Sequence, residues 1–495
     1  MRPSQQRRRK TVGRIALTLA GLYLLLLIPA SNPPEPAASD KQPFVWNKDE
    51  YWQALEDRFK NARQQGCEEL APAIEAEFAY GHRLLDSLAA AARQPDDALF
   101  AEIEKIVFEA APQVAACPKK LSGYTQLQTR LRRLVKAQSQ QWDFSEAATR
   151  NRIYRLLYGS RAALEEVMLQ APQDSLPALA RGQEEPSQTP LAKILGATIH
   201  SGDILVSRGG APTSALIARG NDYPGNFSHI ALVHVDEKTS LASIVEAHIE
   251  RGVAIATLEE YLRDKKLRVM VLRLRADLPA LVADPLLPHR AAAAALQQAR
   301  EQHIPYDFEM NYHDDSKLFC SEVASAAYRK FGVNLWMGIS HISTPGVSAW
   351  LAAFGVKHFE TQEPADLEYD PQLRVVAEWR DPETLYHDHV DNAVIDAMLE
   401  GAEAGDRLGY AWYLLPLARM MKGYSMLLNA FGKVGPVPEG MNAGAALRHQ
   451  QFNQAHRALK EKVLQQAEAF HQQNGYRAPY WELVRFAREA RESKR

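Results

Sequence analysis

Three residue types suited to acyl-transfer chemistry occur where local structure would expose and tune them. In Phe319-Cys320-Ser321-Glu322-Val323-Ala324-Ser325-Ala326-Ala327-Tyr328, a polar, turn-forming stretch ends in a helix whose first turn holds a cysteine. The thiolate is the nucleophilic form, and the positive end of a helix or a neighbouring imidazolium lowers a thiol's pKa. In Ser228-His229-Ile230-Ala231-Leu232-Val233, a histidine opens an apolar strand and so lies at the rim of a sheet, where a base for Cys320 must sit. A third group should accept from the other imidazole nitrogen. Glu246, in Ile244-Val245-Glu246-Ala247-His248, suits that role, because strand alternation puts it on the face of Ile244 and His248, next to the His229 strand. His248 and, more distantly, Asp236 compete for it. Taken singly, each residue has an ordinary structural explanation: buried cysteine is common, and the chain holds 15 histidines.

The elements that would position them follow from hydrophobic period. After residue 191 the texture is that of strands, at 202–206, 230–235, 243–247 and 268–274, followed by an Ala-rich helix at 290–302, the helix 321–331 and a strand at 373–379. Residues 49–170 have helical spacing instead, as in Leu55, Phe59 and Ala62 or Ile74, Phe78, Leu84, Leu85 and Leu88, with breaks at Gly66, Pro95, Pro112 and Pro118. This reads as an antiparallel helical bundle or layer with a structural or partner-binding role. Residues 175–191 read as a turn-rich link, and the tail from Asp388 as helical with a solvated, mixed-charge face. The expected division is 1–43 anchor and tether, 44–190 helical domain, 191–387 catalytic domain and 388–495 helical region. His387 and His389, two apart, cannot share one helical face, so they are expected in a solvated loop or helix start. No Cys or His cluster has zinc-ligand spacing, and no metal or cofactor is expected.

Charge and targeting bound the partners. Lys plus Arg (58) nearly balance Asp plus Glu (60), which lacks the basic excess of a nucleic-acid binder. Residues 15–30 form an apolar run after Arg7, Arg8, Arg9, Lys10 and Arg14. About 16 residues span roughly 24 Å as helix, short for a hydrocarbon core of about 30 Å but within tolerated mismatch. The positive flank predicts a cytoplasmic N-terminus and translocation of the rest, as a signal-anchor in a cell inner membrane with the catalytic domain in the periplasm, or as a periplasmic protein if Pro29, Ala30 and Ser31 are cleaved. Residues 31–43 read as a Pro- and Ala-rich tether. In an exported chain Cys67 and Cys117 are candidates for a disulfide, which leaves Cys320 as the free thiol.

Five short blocks together resemble the permuted papain-like amidases of the YiiX/YaeF type, within the NlpC-like superfamily: Ser201-Gly202-Asp203-Ile204-Leu205, the His229 block, Val245-Glu246-Ala247, Pro305-Tyr306-Asp307-Phe308, and Leu318-Phe319-Cys320-Ser321-Glu322. Their order, with His and Glu before Cys, is the permuted one. The resemblance covers about residues 195–385. It implies an α+β, circularly permuted papain-like module with a small antiparallel sheet packed on the catalytic helix, flanked by helical regions. It also implies Cys320 as nucleophile, His229 as general acid/base, Glu246 as orienting residue, and Asp203 and Tyr306 near the cleft. Gly202 would let the chain turn sharply into the first strand, and Asp203 is equally suited to bonding backbone. The expected activity is hydrolysis of amide bonds, extending to esters, on peptides or cell-wall peptide. The alternatives are a lipid acyl hydrolase or acyltransferase, and an inactive envelope scaffold.

Overall fold

The structure, a computed structural model, describes residues 14, 17, 18, 20–29, 36–173, 176–336 and 338–493. Its strands are β1 (Leu179–Arg181), β2 (Leu191–Ile194), β3 (Ala197–His200), β4 (Ile204–Gly209), β5 (His229–Val235), β6 (Ala242–His248), β7 (Gly252–Thr257), β8 (Lys266–Leu274), β9 (Ser340–His341), β10 (Glu360–Thr361) and β11 (Leu373–Trp379). Seven of them form one antiparallel sheet in the order β1-β11-β8-β4-β5-β6-β7. The fold is therefore mixed α+β.

The central strands read as unbroken apolar runs because both their faces are buried. Ile204, Val206, Ile230, Leu232 and Met270 face a core that includes Ala291, Leu296, Val323, Ala324 and Ala327 of the helices Leu287–Glu301 and Glu322–Arg329. Leu205, Ala231, Val233, Ile244 and Val271 face the other way, onto Ile194, Ile199 and Tyr261. At the turn into β4, Gly202 has φ +96°, and a Cβ there would run into Pro288, so both the backbone and the space require glycine. The Tyr328 hydroxyl donates to the Gly202 carbonyl and ties that turn to the helix after Cys320.

The helices Asp49–Gln64, Cys67–Ala90, Ala98–Ala116, Leu121–Gln138 and Ser160–Gln170 lie before the sheet in sequence but share its core, since Phe59, Leu85 and Leu131 belong to the same buried cluster as Ile230 and Leu373. A buried ionic network also crosses that junction. Arg161 pairs with Glu368 (2.7 Å) and Glu165 (3.2 Å), while Arg268 pairs with Glu165 (2.6 Å) and Asp388 (2.7 Å). Charges this deeply buried persist only when every one is partnered. A disulfide joins Cys67 to Cys117 across 50 residues, a loop whose closure restricts the unfolded chain by about 4 kcal/mol in the chain-entropy account.

Several expectations are corrected. The sheet is larger than the small one expected, because β1 arises inside the turn-rich 175–191 link and pairs with β11, while β7 extends the other edge. Pro112 does not end a helix: Ala98–Ala116 runs through it, the helix being held by fully buried neighbours such as Ala110 and Val114. The 387/388 boundary falls inside one continuous helix, Pro382–Glu403. His389 is buried on that helix with Nε2 3.5 Å from Glu165, whereas His387 stays partly exposed. The apolar run 15–30 and the tether 31–43 lie partly outside the described residues. Among the described residues, no helix is long and apolar enough to cross a membrane.

Candidate active site

β5 begins at His229, where Ser207 of β4 pairs with it, after residues 221–228 lead in from the helix Pro212–Arg219 and the Ser228 amide donates to the Ser207 carbonyl. β6 runs antiparallel beside β5, with Ala231 opposite Glu246, so the same pleat carries His229, Glu246 and His248 on one face. His229 Nε2 lies 2.6 Å from Glu246 Oε2, and His248 Nε2 lies 3.1 Å from Glu246 Oε1. One buried carboxylate thus bridges two imidazoles. The Nε2 contact engages one ring nitrogen of His229 and leaves Nδ1 as the other.

The electrostatics follow from burial. Desolvation lowers the His229 pKa, more than the Glu246 carboxylate raises it, so the ring is neutral at neutral pH. Burial alone would raise the Glu246 carboxyl, but the two histidine contacts outweigh it and hold that group well below the usual carboxylate range.

Cys320 sits just before the helix Glu322–Arg329 and is 5% exposed. The turn that presents it is closed by Glu322, whose Oε2 accepts from the Phe319 amide at 3.0 Å. The thiol donates to the Ser228 carbonyl at 3.7 Å, so the sulfur meets β5 at the peptide that joins Ser228 to His229. Burial pushes the thiol up to about 12; a bond from Ser321 opposes this and nearby Glu363 adds to it. The expected acid-shifted thiolate is therefore replaced by a neutral thiol. The helix terminus is outweighed because Cys320 is dry.

The remaining candidates separate. Tyr306 is bridged to Leu318, two residues before Cys320, and burial and then the cysteine's charge raise its phenol. Asp203 is held elsewhere. Its carboxylate pairs with Arg273 (2.7 Å) and accepts from the His200 amide (2.7 Å), and Val233 is its backbone partner. That is four residues, about 13 Å, along β5 from His229, so the expectation of Asp203 near the cleft is corrected to a structural ion pair. Asp236 accepts from Lys238 and Thr239 within its own turn.

Sequence reading did not single out Glu322, Glu363 or the Ser228 carbonyl. Glu322 follows Cys320 by two residues, and burial pushes its carboxyl up to about 9. An acidic residue in the first turn of an otherwise buried helix was the signal that could have found it. Glu363 comes from a distant loop and left no local trace. Among the described residues, no cluster of three or more His, Cys, Asp or Glu is arranged to hold a metal ion.

No curated protein and no solved structure matches the chain. Residues 198–377, which run from β3 to β11 and carry Cys320, His229 and Glu246, match the family model described as permuted papain-like amidase enzyme, YaeF/YiiX, C92 family, so this segment is similar to a papain-like amidase and cysteine peptidase class.

Proposed function

We propose that the chain is a thiol hydrolase of permuted papain-like fold that cleaves amide bonds, with Cys320 as nucleophile, His229 as general acid/base and Glu246 as the residue that orients it. The observation that carries this reading is the His229–Glu246 contact of 2.6 Å at the start of β5, where the Cys320 thiol also meets the strand. The thiol leaves the Ser228 carbonyl and passes its proton to His229 as Sγ attacks the carbonyl carbon. The first amides of the helix Glu322–Arg329 stabilise the oxyanion. The C–N bond breaks as His229 returns the proton to the leaving nitrogen. Water, deprotonated by the same imidazole, then releases the acid from the thioester. Glu246 keeps the ring in the tautomer that leaves Nδ1 for this traffic, and His248 holds the second carboxylate oxygen.

Peptides or the peptide portion of the cell wall are the proposed substrates, and the envelope, with the run 15–30 as anchor or signal, the proposed location. A second reading, acyl-lipid hydrolysis, is favoured by one feature, the apolar helix face described below. Assaying purified chain and Cys320→Ala on amide and ester panels tests both. Cys320-dependent amide cleavage supports the first reading and ester-only cleavage the second. Turnover equal in wild type and variant contradicts both.

A further inference from the structure

The helix Leu415–Ala430 carries a solvent-facing stripe of large apolar side chains at alternating spacings of three and four. Leu417 is 56% exposed, Met420 64%, Tyr424 51%, Leu427 57% and Phe431 74%. Trp412 (64%) stands before the helix at its N-terminal end. The inner face is anchored by Leu415 and Ala418 against Ala443 of the next helix, so the stripe is the outer face of a packed helix.

We propose that this face docks on a phospholipid bilayer with anionic headgroups and holds the segment bearing Tyr306 and Cys320 close to the membrane surface. Two observations point to lipid. Residues 407–438 contain Arg407, Arg419, Lys422 and Lys433 but no Asp or Glu, which complements anionic headgroups. The face is also continuous with the N-terminal apolar run: Arg419 donates to the Leu26 carbonyl at 2.8 Å and Tyr23 to that of Tyr413 at 3.5 Å, while Leu22, Leu24, Leu25 and Ile28 are exposed alongside. The run itself follows a further cluster of Arg and Lys. The link to the site is direct. Lys422 donates to the Pro438 and Glu439 carbonyls, Glu439 pairs with His303 at 3.0 Å, and Gly440 abuts Phe308, whose ring centre lies 5.9 Å from that of Tyr306.

The test uses the full chain with phosphatidylcholine–phosphatidylglycerol vesicles, brominated or not, and reads no turnover, so it is independent of the hydrolase reading. The Trp412 signal is taken as the difference between wild type and Trp412→Phe. Bromolipid should quench that signal several-fold more than unbrominated lipid, and the quenching should be lost in Leu417→Glu/Leu427→Glu, a variant confined to exposed positions. Two results overturn the proposal: equal quenching in wild type and Trp412→Phe, which leaves attachment to the N-terminal run alone, and lipid-free shielding of Trp412 that rises with protein concentration, which assigns the face to a second copy of the chain.

Discussion

Cys320 donates to the carbonyl of Ser228, the residue that precedes His229. The thiol thus meets β5 at the residue next to His229, whose imidazole is engaged by Glu246. In the proposed mechanism both groups start neutral, and activation moves the thiol proton from a carbonyl to the imidazole.

Alkylation of the native chain by iodoacetamide should therefore be slow at pH 7 and rise steadily to pH 10, because burial pushes the thiol up to about 12. A labelling rate already at its plateau below pH 7 would mean an ion pair in place of two neutral groups. Mass spectrometry identifies the labelled residue, since Cys67 and Cys117 are oxidised.

Glu246→Gln should keep the fold at neutral pH and lower turnover by about 10²-fold or more, the range general acid/base catalysis supplies. It should also flatten the acid sensitivity of the fold. Glu246 is held below its unfolded pKa, so its stabilisation is present above about pH 4.3 and fades as pH falls below that. His229 has the same sign, because its folded pKa lies below about 6.5 and the unfolded chain binds the extra proton. Urea midpoints at pH 7 and pH 4 read the difference. An unchanged pH slope in the variant counts against the bridging carboxylate.

Glu165→Ala removes the partner shared by Arg161 and Arg268. Arg161 keeps Glu368 and Arg268 keeps Asp388, but a buried network that loses one of its carboxylates should still cost about 3 kcal/mol, seen as a large drop in the denaturation midpoint. A loss under about 1 kcal/mol, the usual size of an exposed pair, would show that the helical layer and the sheet are not tied together by this network.

The sheet's centre was legible in the sequence because strands buried on both faces are written as apolar runs: β5, β6, β8 and β11 fall within two residues of expectation. The edges were not. β1 is three residues long and exists only because β11 supplies its hydrogen bonds. The proximity of His229 and Glu246 followed from alternation and hairpin pairing, both local rules. Asp203 misled because its motif position carried no information about Arg273, which lies 70 residues away. The thiol's raised pKa was hidden for a similar reason, since the burial of Cys320 and the charge of Glu363 are set by segments far along the chain.

The most direct test of the central claim is to trap the acyl-enzyme. Incubated with an activated amide or ester and quenched in acid, the wild type should gain the mass of one acyl group on the peptide containing Cys320. His229→Ala should acylate far more slowly, and Cys320→Ala should gain nothing. Turnover of the same substrate with no adduct at Cys320, or with equal adduct in His229→Ala, would contradict the account.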